Sequence, residues 1–219
     1  MLENWWQALL DLLYPPKCPA CRQNVMEHGQ WCSPCAAKIA AYRQIAVSEH
    51  HLRSVDSCCT LYEYEGSLKR MIHDMKFRKA ARYGQHLSWL LSQGSRGRNF
   101  DHIHCVVPVP LHSERLFERG FNQTELIFKT WALAYGLEWL AGLARVRRTR
   151  PQWELTLSDR KGNIKGAFKV ICPERITGRN ILLVDDIFTT GLTLDECARE
   201  LKKAGAKQVH CLTLASNAR

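Results

Sequence analysis

The sequence contains no unbroken apolar run of the roughly 20 residues needed to cross a bilayer as a helix. It also has no internal repeat and no low-complexity tail, which excludes a repeat array. No cleavable signal is recognised at its start, so a reducing cytoplasm is the expected compartment. Acidic residues are scarce relative to bases, 21 against 31, and the formal charge is +10. That excess favours anionic partners, whether nucleic acid, phosphorylated metabolites or an acidic membrane surface, and is equally compatible with a plain basic protein. A hydrophobic fraction of 46% over 219 residues excludes wholesale disorder and suffices for one full core plus a small appendage.

What the chain has in quantity is cysteine, ten residues in all. Cys18-Pro-Ala-Cys21 and Cys32-Ser-Pro-Cys35 are two knuckles separated by ten residues that include Gly29, enough for a short hairpin. Four thiolates brought together in this way form the tetrahedron of a closed structural zinc site, with no position left for a reactive water. A redox dithiol pair is the competing reading, but neither motif sits in a thioredoxin-like strand and helix. His28 is either a nearby extra ligand or an ordinary loop histidine. Adjacent Cys58 and Cys59 cannot both ligate one ion comfortably and read as strand residues. Cys105, Cys197 and Cys211 fall in apolar patterns, as small buried residues do.

The most informative stretch is NILLVDDIFTTGLTL, Asn180 to Leu194. Ile181 to Val184 suits a strand covered on both faces. A polar loop from Asp185 to Gly191 is expected next, then a helix marked by Leu194, Cys197, Ala198 and Leu201 and ended near Gly205. Amides at that helix start, with hydroxyls of Thr189, Thr190 and Thr193, suit a phosphate, and Gly191 permits close backbone approach. Asp185 and Asp186 stand at the carboxyl end of the strand, where open α/β sheets bind ligands. There they can hold sugar hydroxyls or a hydrated Mg²⁺ that also touches phosphates. An ordinary capped turn is the simpler reading.

Elsewhere, residues 4–14 (NWWQALLDLLY) make an amphipathic helix that either packs on its own protein or lies on a membrane interface with its tryptophans as anchors. Residues 36–57 read as a helix and connector, and 60–65 as a half-exposed strand closed by Gly66. Ser67 can cap a helix with Leu68, Met71, Ile72 and Met75 buried and Lys69, Arg70, His73 and Lys76 on the other face. A second helix is expected from Tyr83 to Leu91, and a buried strand from His102 to Val107 runs into Pro108-Val109-Pro110-Leu111. Arg115 and Arg119, four apart, share a helical face and can meet phosphate oxygens. Strands are expected at 143–146, 168–171 and 209–215. Arg145, Arg147, Arg148 and Arg150 form the densest basic cluster, and Trp153 lies beside it, a combination that suits single-stranded nucleic acid. Alternating strands and helices point to an α/β fold with a mainly parallel sheet.

The segment LLVDDIFTTGLT resembles the phosphoribosyl-pyrophosphate (PRPP) loop of the type I phosphoribosyltransferases. The resemblance implies that Asp185 and Asp186 contact the ribose 2′ and 3′ hydroxyls while Thr189, Thr190, Gly191 and Thr193 wrap the 5′-phosphate. It also implies pyrophosphate contacts from Val109, Pro110 and Leu111 after a strand, with Arg115 and Arg119 nearby, and Mg²⁺ accompanying PRPP. The basic segment 145–153 corresponds to a flap over the site, so Arg148 and Arg150 are alternatively closers over pyrophosphate. Purine-type members place an acid for the incoming base where this chain has Thr189.

The run PVPLHSERLFERGFNQ, together with LLYPPKCPAC, IHDMKF, RTRPQWEL and their order, is similar to the ComF/GntX competence family across nearly the whole chain. Members often carry a second pair of knuckles, and only Cys58-Cys59 stands there in this sequence, so one zinc is expected. The implied organisation is an N-terminal helix and a four-cysteine, zinc-ribbon-like module at 1–57 followed by a phosphoribosyltransferase-like domain at 58–219. The implied role is uptake of single-stranded DNA in the cytoplasm at the inner face of the membrane, beside a competence helicase. A metabolic phosphoribosyltransferase with an unidentified acceptor, and a non-enzymatic module in which PRPP reports nucleotide supply, are the alternatives. No catalytic residue and no oligomeric state is assigned.

Overall fold

The computed structural model describes residues 12–147, 162 and 164–218. The expected N-terminal helix around Trp5, Trp6, Leu9 and Leu10, the cap at Ser158-Asp159, and Arg148, Arg150 and Trp153 lie outside the described residues. Among the described residues no helix is long and apolar enough to cross a membrane.

The zinc-type module comes first. Backbone bonds from Cys18 N to Gln23 O and from Arg22 N to Cys18 O close the first knuckle. Helix α1 (Ser33–Ile39) supplies the second, with Cys32 at its N-cap and Cys35 in its first turn. Gly29, at φ +92°, lies so close to Gln85 that an added Cβ would fall 2.7 Å from its Cγ. Together with the bond from Gln85 Nε2 to His28 O, that contact seats the module on the rest of the chain.

Strand β1 (Ala40–Ile45) follows α1 directly and pairs antiparallel with β2 (Ser57–Glu63). The stretch 36–57, expected as helix and connector, therefore contributes an edge strand, and the anticipated boundary at 57/58 lies after the first residue of β2, the strand with which that edge strand pairs. Helices α2 (Gly66–Phe77) and α3 (Tyr83–Gly94) then lead to β3 (Cys105–Pro108). Helices α4 (Ser113–Arg119) and α5 (Gln123–Ala134) and the two-residue β4 (Glu138–Trp139) come next. An antiparallel pair, β5 (Leu143–Arg145) and β6 (Phe168–Val170), precedes β7 (Asn180–Phe188), α6 (Leu192–Lys203) and β8 (Gln208–Ser216).

The main sheet runs β1-β2-β8-β7-β3-β4, parallel except at the β1 edge. Its centre is β7, whose Ile181 to Val184 are all buried because both faces are covered. Leu182 and Val184 join one core with Leu68, Met71, Ile72 and Met75 of α2 and with residues of α3 and α5. Ile181 and Leu183 join the other, with Leu194, Cys197, Ala198 and Leu201 of α6 and with Leu52 and Val55 of the β1–β2 connector.

Strand β7 extends four residues beyond the end expected from its apolar run, through the acids to Phe188. The ladder continues because β8 is equally long and offers Thr213 to Asp185, Ala215 to Ile187 and Ser216 to Phe188. Long-range pairing overrides the local polarity of two acids. Only Thr189, Thr190 and Gly191 remain to turn the chain into α6.

Candidate functional site

At the carboxyl ends of the central strands lies a cleft of about 750 Å³. Val109 to Leu111 reach it from β3, Arg115 and Arg119 from α4, Arg145 from β5, the acid pair from β7, and Thr189, Gly191 and Thr193 from the turn and start of α6. Eleven of the residues proposed from sequence thus line one cavity, although they come from four separated segments. Thr190 stands beside it with its Oγ1 buried and without a hydrogen-bond partner among the described residues.

Helix α6 starts with Gly191 as N-cap, which supplies no side-chain cap. The one acid of its first turn, Asp195, accepts instead from the Ser54 amide at 2.8 Å. The first amides of α6 therefore have no side-chain cap at the cleft, as an anion site requires. Gly191 adopts φ +74°, and an added Cβ would lie 2.6 Å from Leu52 Cδ2 and 2.9 Å from Phe188 Cε2. The glycine is thus demanded by conformation and by packing against the connector, in addition to any close approach of a ligand.

The two acids have different surroundings. Asp185 Oδ1 accepts from the Asp186 amide at 2.8 Å and from Thr124 Oγ1 at 3.3 Å. Thr124 is fully buried at the start of α5, where the Asn122 side chain caps its amide. Burial, and then the neighbouring Asp186 carboxylate, push the Asp185 carboxyl up to about 7, against the pull of Lys76. Asp186 is 2% exposed, and Lys76 Nζ of α2 lies 3.0 and 2.8 Å from its two carboxylate oxygens.

Arg115, Arg119 and Arg145 line the same cleft as the pair. Arg119 donates to Gln123, and burial draws its guanidinium down from the ordinary value while Asp186 opposes the shift. Arg145, grouped by sequence with the basic cluster, is half-buried and lines the cleft, where burial and Arg115 draw its guanidinium down and Asp185 opposes the shift. Arg147 is exposed and donates to the Lys165 carbonyl at 2.6 Å. Of the three residues after β3, the Val109 amide is committed to Val184 O and Pro110 has none, so Leu111 carries the remaining backbone donor.

Sequence reasoning missed Thr124 and Tyr64, and it set Lys76 on a basic helix face open to anion binding or solvent without linking it to the acids. Lys76 was visible as the lysine of IHDMKF, and Thr124 as the hydroxyl after the Asn122 cap. Tyr64, just past β2, lines the cleft, where burial pushes its phenol up and Lys76 pulls it back.

In the N-terminal module the sulfurs of Cys18, Cys21, Cys32 and Cys35 all lie within 4.8 Å of one another, with Cys21 and Cys32 3.6 Å apart. Zn–S bonds of about 2.3 Å set tetrahedral edges of roughly 3.8 Å, so the donor set fits a structural zinc. Burial and the three other thiols push Cys35 up to about 12, a repulsion that a dication removes. His28 is not part of this cluster.

Two family descriptions match the chain, Double zinc ribbon domain at residues 9–46 and Phosphoribosyl transferase domain at residues 158–219. The DNA utilization protein YhgH of Salmonella typhimurium is 30% identical over 202 residues, covering 89% of this chain and 82% of the relative. Competence protein F of Haemophilus influenzae is 26% identical over 206 residues, covering 91% and 84%. Competence protein ComFC of Streptococcus pneumoniae is 36% identical over 111 residues, covering 49% and 46%. Among solved structures, the glutamine PRPP amidotransferase of B. subtilis aligns with a TM-score of 0.40 and 20% identity, covering 62% of this chain and 26% of that one. The chain belongs to the ComF/GntX family of competence and DNA-utilization proteins, in which a phosphoribosyltransferase-type domain follows an N-terminal zinc ribbon.

Proposed function

We propose that this protein binds PRPP with Mg²⁺ in the cleft and uses that state in handling single-stranded DNA. The observation that carries the reading is the convergence, in one cavity, of an acid pair, a helix start without a side-chain cap and three arginines. The ribose hydroxyls meet Asp185 and Asp186. The 5′-phosphate meets the amides of Leu192 to Leu194 and the hydroxyls of Thr189, Thr190 and Thr193. The pyrophosphate lies toward Leu111, Arg115 and Arg119, with Arg145 closing the side next to Asp185. Mg²⁺ bound by the acids and the ligand's phosphates would neutralise the developing charge of a pyrophosphate leaving group.

Thr189 offers no carboxylate to an incoming purine, so the reading does not include purine salvage. Family membership supports the DNA-handling role, and the exposed Arg147 beside the segment containing Arg148, Arg150 and Trp153 supports contact with a strand. Work at the cytoplasmic face of the inner membrane, next to a helicase, belongs to the same proposal.

Calorimetry with PRPP and Mg²⁺ tests the site. Saturable binding by the wild type and none by folded Asp185→Asn/Asp186→Asn is expected, and unchanged titration by the variant refutes the ribose assignment. Pyrophosphate release from PRPP with a panel of bases would instead mark a metabolic transferase. Salt-dependent binding of single strands should weaken in Arg147→Ala/Arg150→Ala. Unchanged affinity would remove the basic segment from the reading.

A further inference from the structure

The ion pair between Lys76 and Asp186 has no counterpart in the sequence reading of the site. It joins residues 110 positions apart, and the ammonium faces both oxygens of a carboxylate that is almost completely buried. Lys76 Nζ is not a surface charge that happens to reach an acid. Its helix is anchored by Leu68, Met71, Ile72 and Met75 in the core, which fixes where the side chain leaves the backbone, and Lys76 itself lines the cleft.

Two adjacent carboxylates repel a ligand that carries a monophosphate and a diphosphate unless a cation intervenes. Mg²⁺ is one such cation. The chain already carries another in direct contact with Asp186, and Arg115, Arg119 and Arg145 add positive charge to the same cleft. With the ammonium in place the acid pair presents at most one net negative charge, and Lys76 keeps an N–H direction for a ligand oxygen.

We propose that Lys76 is a positioning residue for the acid pair, a built-in counter-cation that lets the cleft bind the sugar diphosphate without a divalent ion. This inference rests on the PRPP reading above. It assigns to the site a metal-independent component of affinity that an acid pair alone lacks.

The test is PRPP affinity with Mg²⁺ and with EDTA, for the wild type, Lys76→Gln and Lys76→Arg, with melting curves to confirm folding. The wild type should still bind in EDTA. Lys76→Gln should lose about tenfold to a hundredfold more affinity than the wild type on moving from Mg²⁺ to EDTA, the scale of one charge-assisted contact. Lys76→Arg should behave as the wild type. A merely structural ion pair would lower the melting temperature and leave the two cation responses equal, which overturns the inference. Absence of wild-type binding in EDTA overturns it too, and that measurement needs no variant. Absence of wild-type binding in Mg²⁺ overturns the PRPP reading itself, so the two failures are distinguishable.

Discussion

Replacing Asp185 should stabilise the unliganded protein and, on the proposed reading, abolish ligand binding. Its carboxyl is raised from 3.8 to about 7, by burial first and by Asp186 second. At about 1.4 kcal/mol per pH unit, that displacement sets a ceiling near 4 kcal/mol on the cost of ionising it in the folded state. Because Lys76 and Asp186 share the same field, roughly 2 kcal/mol is the expected gain when Asp185→Asn removes the charge. The amide oxygen of Asn can still accept from Thr124 and from the Asp186 amide, so the local bonds survive.

The dependence on pH follows from the direction of the shift. Below about pH 4 the carboxyl is protonated in both the folded and the unfolded chain, and the two proteins should melt alike. Between about pH 4 and 7 the unfolded chain loses its proton first, so the wild type weakens relative to the variant. Above about pH 7 the difference should be constant, at roughly 4–8 °C in melting temperature for a chain of this size. Thermal melts of the ligand-free proteins across this range measure it, while calorimetry on the same samples should show that the stabilised variant no longer binds PRPP. An equal difference at every pH, or a variant that melts lower at about pH 8, would refute the placement of Asp185 beside a second carboxylate in a buried setting.

Gly191→Ala should cost about 1–3 kcal/mol in urea unfolding, since Ala must adopt φ +74° and also displace Leu52. Adding Leu52→Ala should remove only the Leu52 share of the steric cost, leaving the conformational part and the contact with Phe188. Cys35→Ser should release zinc, measured by metal analysis, and loosen the seat of the module, where Gly29 meets Gln85 and the module's Trp31 enters the core, read as faster proteolysis near Gly29. Arg119→Ala should weaken binding of pyrophosphate by about tenfold to a hundredfold at low salt, with little change in melting temperature.

Much of this site was legible in the sequence because its parts are local. A buried run, two acids, three hydroxyls and a glycine follow one another within fifteen residues, and two arginines four apart declare their common face without any tertiary information. The cluster of four cysteines is legible for the same reason, since each knuckle fixes two ligands by itself. Helix α2 showed its buried stripe through periodicity alone, and all four named residues are in the core. What stayed hidden is pairing. Nothing between Val184 and Thr189 announces a strand, because the ladder that extends β7 is supplied by β8 after a further helix. Nor does the sequence near residues 40–45 reveal that they add an edge strand to the main sheet.

The same distinction explains why two acids written side by side are not equivalent. In a loop they would share water and a common electrostatic setting. Within a paired strand, successive side chains leave on opposite sides, so each acid meets partners chosen by a different part of the chain. Asp186 meets the ammonium of Lys76, 110 residues earlier, and Asp185 meets the hydroxyl of Thr124, 61 residues earlier. One acid is paired with an ammonium and the other, with a neutral hydroxyl partner, is pushed up by burial and by its neighbour, so the fold gives two identical side chains different surroundings. The sequence names the acids, while the sheet makes them different.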